Sequence, residues 1–145
     1  MGHALRLDDL FVYRSPVLDA HHWILHGFGT RRSVDWPPPL PVATLRQVHS
    51  SISRIARHAG YAGEGDALVT DRPGLLLTVR TADCLPILLA ATPRRAVAAI
   101  HAGWRGTLAD VAGATVRRMC DEFGCEPREL LAVIGPGIGV CCYQV

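Results

Sequence analysis

A chain of 145 residues that is 49% hydrophobic and 19% charged can bury a sizeable core and is too apolar to stay disordered. Its net charge of +2, with no basic run longer than Arg31-Arg32 or Arg117-Arg118, gives no footing for nucleic acid or an anionic membrane as a partner. No apolar run is long enough to span a bilayer, and Asp8 and Asp9 stand where a secretory leader needs apolar residues, so one cytoplasmic domain over residues 1 to 145 is expected.

The first region, which includes His3, His21 and His22, carries no motif. Residues 23 to 28 form a short apolar run closed by Gly29, and Trp36-Pro-Pro-Pro-Leu-Pro41 forbids helix and reads as a loop. Strand-like runs follow at residues 44 to 49, 67 to 70, 75 to 80, 86 to 91 and 96 to 100. Their nearly continuous hydrophobicity predicts strands covered on both faces. After Gly106 the period changes: Leu108, Val111, Ala112, Thr115, Met119 and Phe123 recur at helical spacing, predicting one amphipathic helix over 107 to 123. Thr107 and Asp110 resemble a capping box at its start, Arg117 and Arg118 suit the negative end of its dipole, and Gly124 can take the left-handed closing conformation. A last buried strand over 130 to 134 runs into Gly135-Pro-Gly-Ile-Gly139, which lacks the spacing of a phosphate loop and is expected to be a tight strand-end turn lining the pocket. No internal repeat, low-complexity tract or linker interrupts the pattern.

The five cysteines are an odd number without a disulfide-framework spacing, so reduced thiols are expected. His49, Cys84 and His101 each stand where a strand-like segment breaks, the kind of position that displays reactive groups on a rigid scaffold. Two imidazoles and a thiolate are good zinc ligands, and three protein ligands leave a fourth position open. Residue types alone leave three readings: a metal centre, a buried Cys84 with two strand-end histidines bonded to the backbone, or a Cys84 nucleophile activated by histidine. Arg105, in the turn entering the helix, is a candidate anion holder beside backbone N–H groups. Asp83 is a candidate for orienting a ligand or moving protons, or a turn residue bonded to its own backbone. Gln47 shares a face with His49 if that segment is extended.

Together Gln47-Val-His49, Asp66-Ala-Leu-Val-Thr70, Thr81-Ala-Asp-Cys-Leu-Pro86, His101-Ala-Gly-Trp-Arg-Gly106, Ile134-Gly-Pro136 and Cys142-Tyr-Gln-Val145 resemble the family first named multicopper polyphenol oxidoreductases or laccases and later described as purine nucleoside phosphorylases. The resemblance runs from about His26 to the end of the chain and is strongest between Asp66 and Gly106. It implies an α+β, YfiH-like fold of mixed packed β-sheets with flanking helices, and zinc held by His49, Cys84 and His101. It also implies phosphorolysis of adenosine, inosine, guanosine and methylthioadenosine, with deamination of adenosine as a second activity. On that reading Arg105 and Arg31 are the cations available to phosphate, Gln47 lies beside the substrate, and Asp83 moves protons. Copper fits less well, because a multicopper centre needs several clustered histidines and the chain has seven in all.

Two departures from the family stand out. Gln144 replaces the usual glutamate, removing a carboxylate, and family members continue well beyond this point. An incomplete domain lacking its C-terminal part is therefore expected. A metal-free Cys/His hydrolase and an inactive remnant are the alternatives.

Overall fold

The structure, a computed structural model, describes residues 4–144; His3 and Val145 lie outside them. Two compact units divide the chain, Met1–Leu40 and Pro41–Val145. In the first, β1 (Arg6–Leu7) pairs antiparallel with β2 (Tyr13–Arg14), and α1 (Pro16–Asp19) follows. The Asp8 carboxylate makes the turn between the strands by accepting from the N–H groups of Leu10 and Val12, each at 2.9 Å, and from Arg14 Nε at 2.8 Å. Val12, Leu18 and Phe28 are its buried apolar residues. The run at residues 23 to 28 forms no strand, only a single bridge from Phe28 to Tyr13.

The second unit stacks three layers. Its central sheet has five strands in the order β10 (Leu130–Ile134), β8 (Leu85–Ala91), β9 (Ala96–Ala102), β6 (Ala67–Thr70) and β4 (Ser53–Ile55). A smaller sheet sets β3 (Val42–Arg46) between β5 (Gly60–Glu64) and β7 (Leu76–Leu77). Alternation along β6 decides what each layer touches. Ala67 and Val69 face the main core with Ile100, Val111 and Met119, whereas Leu68 points the other way into a cluster with Ala43 and Ala56. The helical layer is α3 (Val111–Phe123), whose Val111, Thr115 and Met119 are buried. The expected α+β architecture of packed sheets with flanking helix is thus present.

Several boundaries differ from expectation, each for a local reason. The single helix over 107 to 123 is two helices, α2 (Trp104–Leu108) and α3, separated at Asp110 with φ 63°. Asp110 itself caps α3 by accepting from Gly113 N–H, so Thr107 is not the cap. Arg117 reaches back to Asp110 at 2.9 Å instead of serving the helix end. Gly124 does close α3 in the left-handed conformation, with φ 65°. The strand expected over 44 to 49 is Val42–Arg46, because the N–H groups of Val48, His49 and Ser50 turn toward a carboxylate described below. The strand expected over 75 to 80 shrinks to Leu76–Leu77, its continuation held by Gln47 instead of a ladder. Coverage on both faces holds for β6 but fails at β3, whose Thr44 and Arg46 are exposed, and the strand expected to be buried over 130 to 134 leaves Ile134 57% exposed. Among the described residues no helix is long and apolar enough to cross a membrane.

Candidate metal centre and pocket

The antiparallel register of β8 and β9 pairs Leu85 with Ala102 and Pro86 with His101. Cys84, the residue before Leu85, therefore sits at the strand end beside Gly103. His101 is inside β9 and Cys84 immediately precedes β8, whereas the sequence suggested that each closes a strand. His49 lies three residues beyond β3 in a left-handed backbone conformation, φ 59°. From these separate origins the three side chains converge: one ligand atom from each of His49, Cys84 and His101 lies within 4.8 Å of the others. The two imidazole rings meet edge to face with centroids 4.9 Å apart. His101 is buried, Cys84 half-buried and His49 exposed, so the cluster opens to solvent on one side. Tetrahedral centres with nitrogen at about 2.0 Å and sulfur at about 2.3 Å need donors about 3.3–3.6 Å apart, which side-chain rotations closing the cluster by about 1 Å would reach. A Cys/His₂ donor set of this shape fits one metal ion with a vacant coordination direction, and does not fit a cluster of several.

One residue underlies the cluster that sequence reasoning missed. Asp66 is fully buried at the start of β6. Its carboxylate accepts from the N–H groups of Val48 at 3.3 Å, His49 at 3.0 Å and Ser50 at 2.6 Å, and from the Ser50 hydroxyl at 2.7 Å. Three successive N–H groups converging on an anion form a backbone nest. The same carboxylate lies 2.8 Å from His101 Nδ1. Burial raises the Asp66 pKa, but the bonds from the Ser50 hydroxyl, from His101 and from the backbone outweigh it, and the net shift is downward. Asp66 is thus placed to accept from every one of these groups, a geometry that suits a proton on His101 Nδ1 and a free Nε2. The signal available in the sequence was an acid directly preceding the apolar run Ala67-Leu-Val, a position where an unpaired charge could not be buried.

Around the cluster lies a pocket of about 430 Å³ lined by His49, Asp83, Cys84, Trp104, Arg105, Tyr143 and Gln144. Asp83 is exposed, and its side chain makes no hydrogen bond among the described residues, so it is not spent on its own turn. Its carbonyl accepts from Ile138 N–H at 2.9 Å, which is how the glycine-rich turn acts: it braces Asp83 from behind and does not line the pocket. Arg105 lies in α2, only five residues long, so the helix dipole expected there is slight. The Arg105 guanidinium stacks over the Trp104 ring at 5.2 Å and has no carboxylate partner among the described residues. Gln47 is not in the lining. It donates to the Arg80 carbonyl at 2.7 Å and accepts from Arg80 N–H at 2.8 Å, clamping the segment that leads to Asp83. Arg31 belongs to the N-terminal unit, exposed in a turn.

The model of the family described as multi-copper polyphenol oxidoreductase laccase matches residues 30–145. A curated purine nucleoside phosphorylase of Clostridium acetobutylicum is 37% identical over 114 residues, 79% of this chain and 48% of the relative. A protein named adenosine deaminase RL5, from an unknown prokaryotic organism, is 44% identical over 80 residues, 55% of this chain and 30% of the relative. The crystal structure of the Bacillus licheniformis hypothetical protein YfiH superposes with a TM-score of 0.69 at 33% identity, over 72% of this chain and 43% of that one. The chain thus spans less than half the length of each of these relatives.

Proposed function

The chain belongs to the multi-copper polyphenol oxidoreductase laccase family, and from that premise we propose that it acts on purine nucleosides. The reaction is zinc-dependent phosphorolysis of adenosine, inosine, guanosine and methylthioadenosine, with adenosine deamination in the same pocket. The relatives named purine nucleoside phosphorylase and adenosine deaminase support this reading. The observation that carries it is the convergence of His49, Cys84 and His101 beside a pocket whose Arg105 and Asp83 have no ion-pair partner among the described residues.

His49, Cys84 and His101 would hold the zinc, which supplies a Lewis acid and a means of making water acidic near neutrality. Everything else falls to side chains. For phosphorolysis, a phosphate oxygen forms a bond to C1′ while the bond from C1′ to the purine nitrogen breaks, and the departing base takes up a proton. Arg105 binds the phosphate and offsets its charge in a pocket partly shielded from water. Trp104 gives the guanidinium a flat surface that limits its rotamers. Arg31 is the further candidate for phosphate, and Gln47 keeps the Arg80 segment in place behind the substrate. Asp83 handles protons, taking one from water in deamination and returning it to the leaving group. The reaction is assigned to the cytoplasm, where the five free cysteines stay reduced.

The test is purified protein with inosine or adenosine and inorganic phosphate, read as free base and ribose 1-phosphate, together with metal analysis. Near-stoichiometric zinc and both products are expected, and Cys84→Ala should lose both, by at least about 100-fold in rate if the metal provides a large share of the catalysis. A Cys84→Ala protein that is metal-free and fully active would overturn the reading. Labelling of Cys84 by a thiol-directed electrophile in a zinc-free wild type would instead support the metal-free hydrolase, and no turnover of any kind would support the inactive remnant.

A further inference from the structure

We propose that Asp66 is the positioning residue of the metal cluster, a single buried carboxylate that sets both the turn carrying His49 and the tautomer of His101. The inference rests on reading the cluster as a metal centre. It starts from an imbalance: two of the three ligand segments are not set by their own local sequence. His49 sits at φ 59°, a conformation that strains a residue with a Cβ. His101 has two ring nitrogens, either of which could carry the proton in a neutral imidazole. The segments come from positions 17 and 35 residues from Asp66.

Asp66 resolves both ambiguities with different oxygens. Oδ2 accepts from Val48 N–H, Ser50 N–H and the Ser50 hydroxyl, while Oδ1 accepts from His49 N–H and from His101 Nδ1. Every partner is a donor, so the carboxylate has no proton to give, and a proton on His101 Nε2 would leave two acceptors facing each other at 2.8 Å. The Asp66 carbonyl accepts from His101 N–H at 2.7 Å as well, fixing the backbone from which the ring projects. A carboxylate that donates nothing and is saturated by donors from two ligand segments is built for orientation. An asparagine cannot reproduce these bonds, because whichever way the amide turns, its NH₂ meets at least one backbone N–H donor.

The experiment has two parts. In metal-free wild-type protein, two-bond nitrogen–proton correlation spectra report the His101 tautomer directly. Protonation at Nδ1 is expected, and a ring protonated at Nε2, or one averaging between tautomers, would overturn the proposal without any substitution. Cobalt(II) is then titrated into wild type and Asp66→Asn, following the thiolate charge-transfer and ligand-field bands. A 10- to 100-fold weaker affinity is expected for D66N, the range found when a ligand histidine loses its carboxylate partner, with altered ligand-field bands that a general loss of stability would not produce. A folded D66N with wild-type affinity and spectrum would also overturn the proposal. If D66N does not fold, the wild-type tautomer decides the matter. No cobalt uptake by a wild type whose His101 is protonated at Nδ1 overturns the metal reading and upholds the positioning role.

Discussion

At Gly103 the cluster leaves no room for one more carbon. A Cβ there would stand 3.0 Å from Cys84 Sγ and 3.1 Å from His49 Cδ2, so both ligands would have to retreat. Gly106 is similarly confined, 3.0 Å from the Ser50 carbonyl, which explains two of the glycines in His101-Ala-Gly-Trp-Arg-Gly106 by steric need. We expect Gly103→Ala to lower zinc content and phosphorolysis together while costing about 1–3 kcal/mol of stability, the usual range for overpacking; metal analysis alongside urea unfolding checks it. Cys125 shows the contrast with Cys84. Burial, then the neighbouring Cys120 thiol, push it up to about 11, which makes it a packing group and not a nucleophile. Residue types and strand breaks were enough to single out His49, Cys84 and His101. Asp66 was not legible, because its five partners lie on segments 16 to 35 residues away and only the fold brings them to it. Gln47 was singled out by its nearness to His49 in sequence, and what the fold adds is its pair of bonds to the Arg80 backbone.

At the level of elements, β6 is the strand on which the layers depend. Leu68 is fully buried and faces the smaller sheet, where Leu45, Ala62, Leu75 and Leu77 pack around its cluster. Its truncation removes transfer free energy and leaves a cavity that small neighbours such as Ala43 and Ala56 cannot fill. Leu68→Ala should therefore cost about 2–5 kcal/mol, measured as the shift in the denaturant midpoint at constant slope. Continuous apolar runs made β6, β8, β9 and β10 readable from the sequence. β4 and β5 escaped notice because Ser53–Ile55 and Gly60–Glu64 carry polar or glycine-rich sequence and are strands only through their neighbours. The break between α2 and α3 was hidden for another reason. Apolar spacing continues through Asp110, and only its left-handed backbone and its bond from Gly113 reveal a new start.

For the molecule as a whole, the two units answer to different conditions. In the N-terminal unit His26 is buried and its Nε2 accepts from Ser15 N–H at 2.8 Å, which requires a neutral ring. Burial lowers its pKa from 6.5, and Arg14 adds to this against the opposing pull of Asp19. Because the folded value lies below the unfolded one, the unfolded chain binds more protons between them. The stabilisation is fully present above about pH 6.5 and is lost as pH falls toward the folded value. Protection of Ser15 N–H against deuterium exchange, corrected for the intrinsic rate, should fall over that window; a flat profile would count against it. The C-terminal unit contains all three cluster residues and Asp66. The register that pairs Pro86 with His101 has a kinetic meaning as well. Cys84 and His101 are neighbours through the pairing of β8 and β9, and His49 reaches them through the turn held on Asp66, so the full three-donor cluster exists only in the folded chain. On the metal reading proposed above, tight uptake would follow folding, and a loaded site would mark a molecule whose strands are already in register.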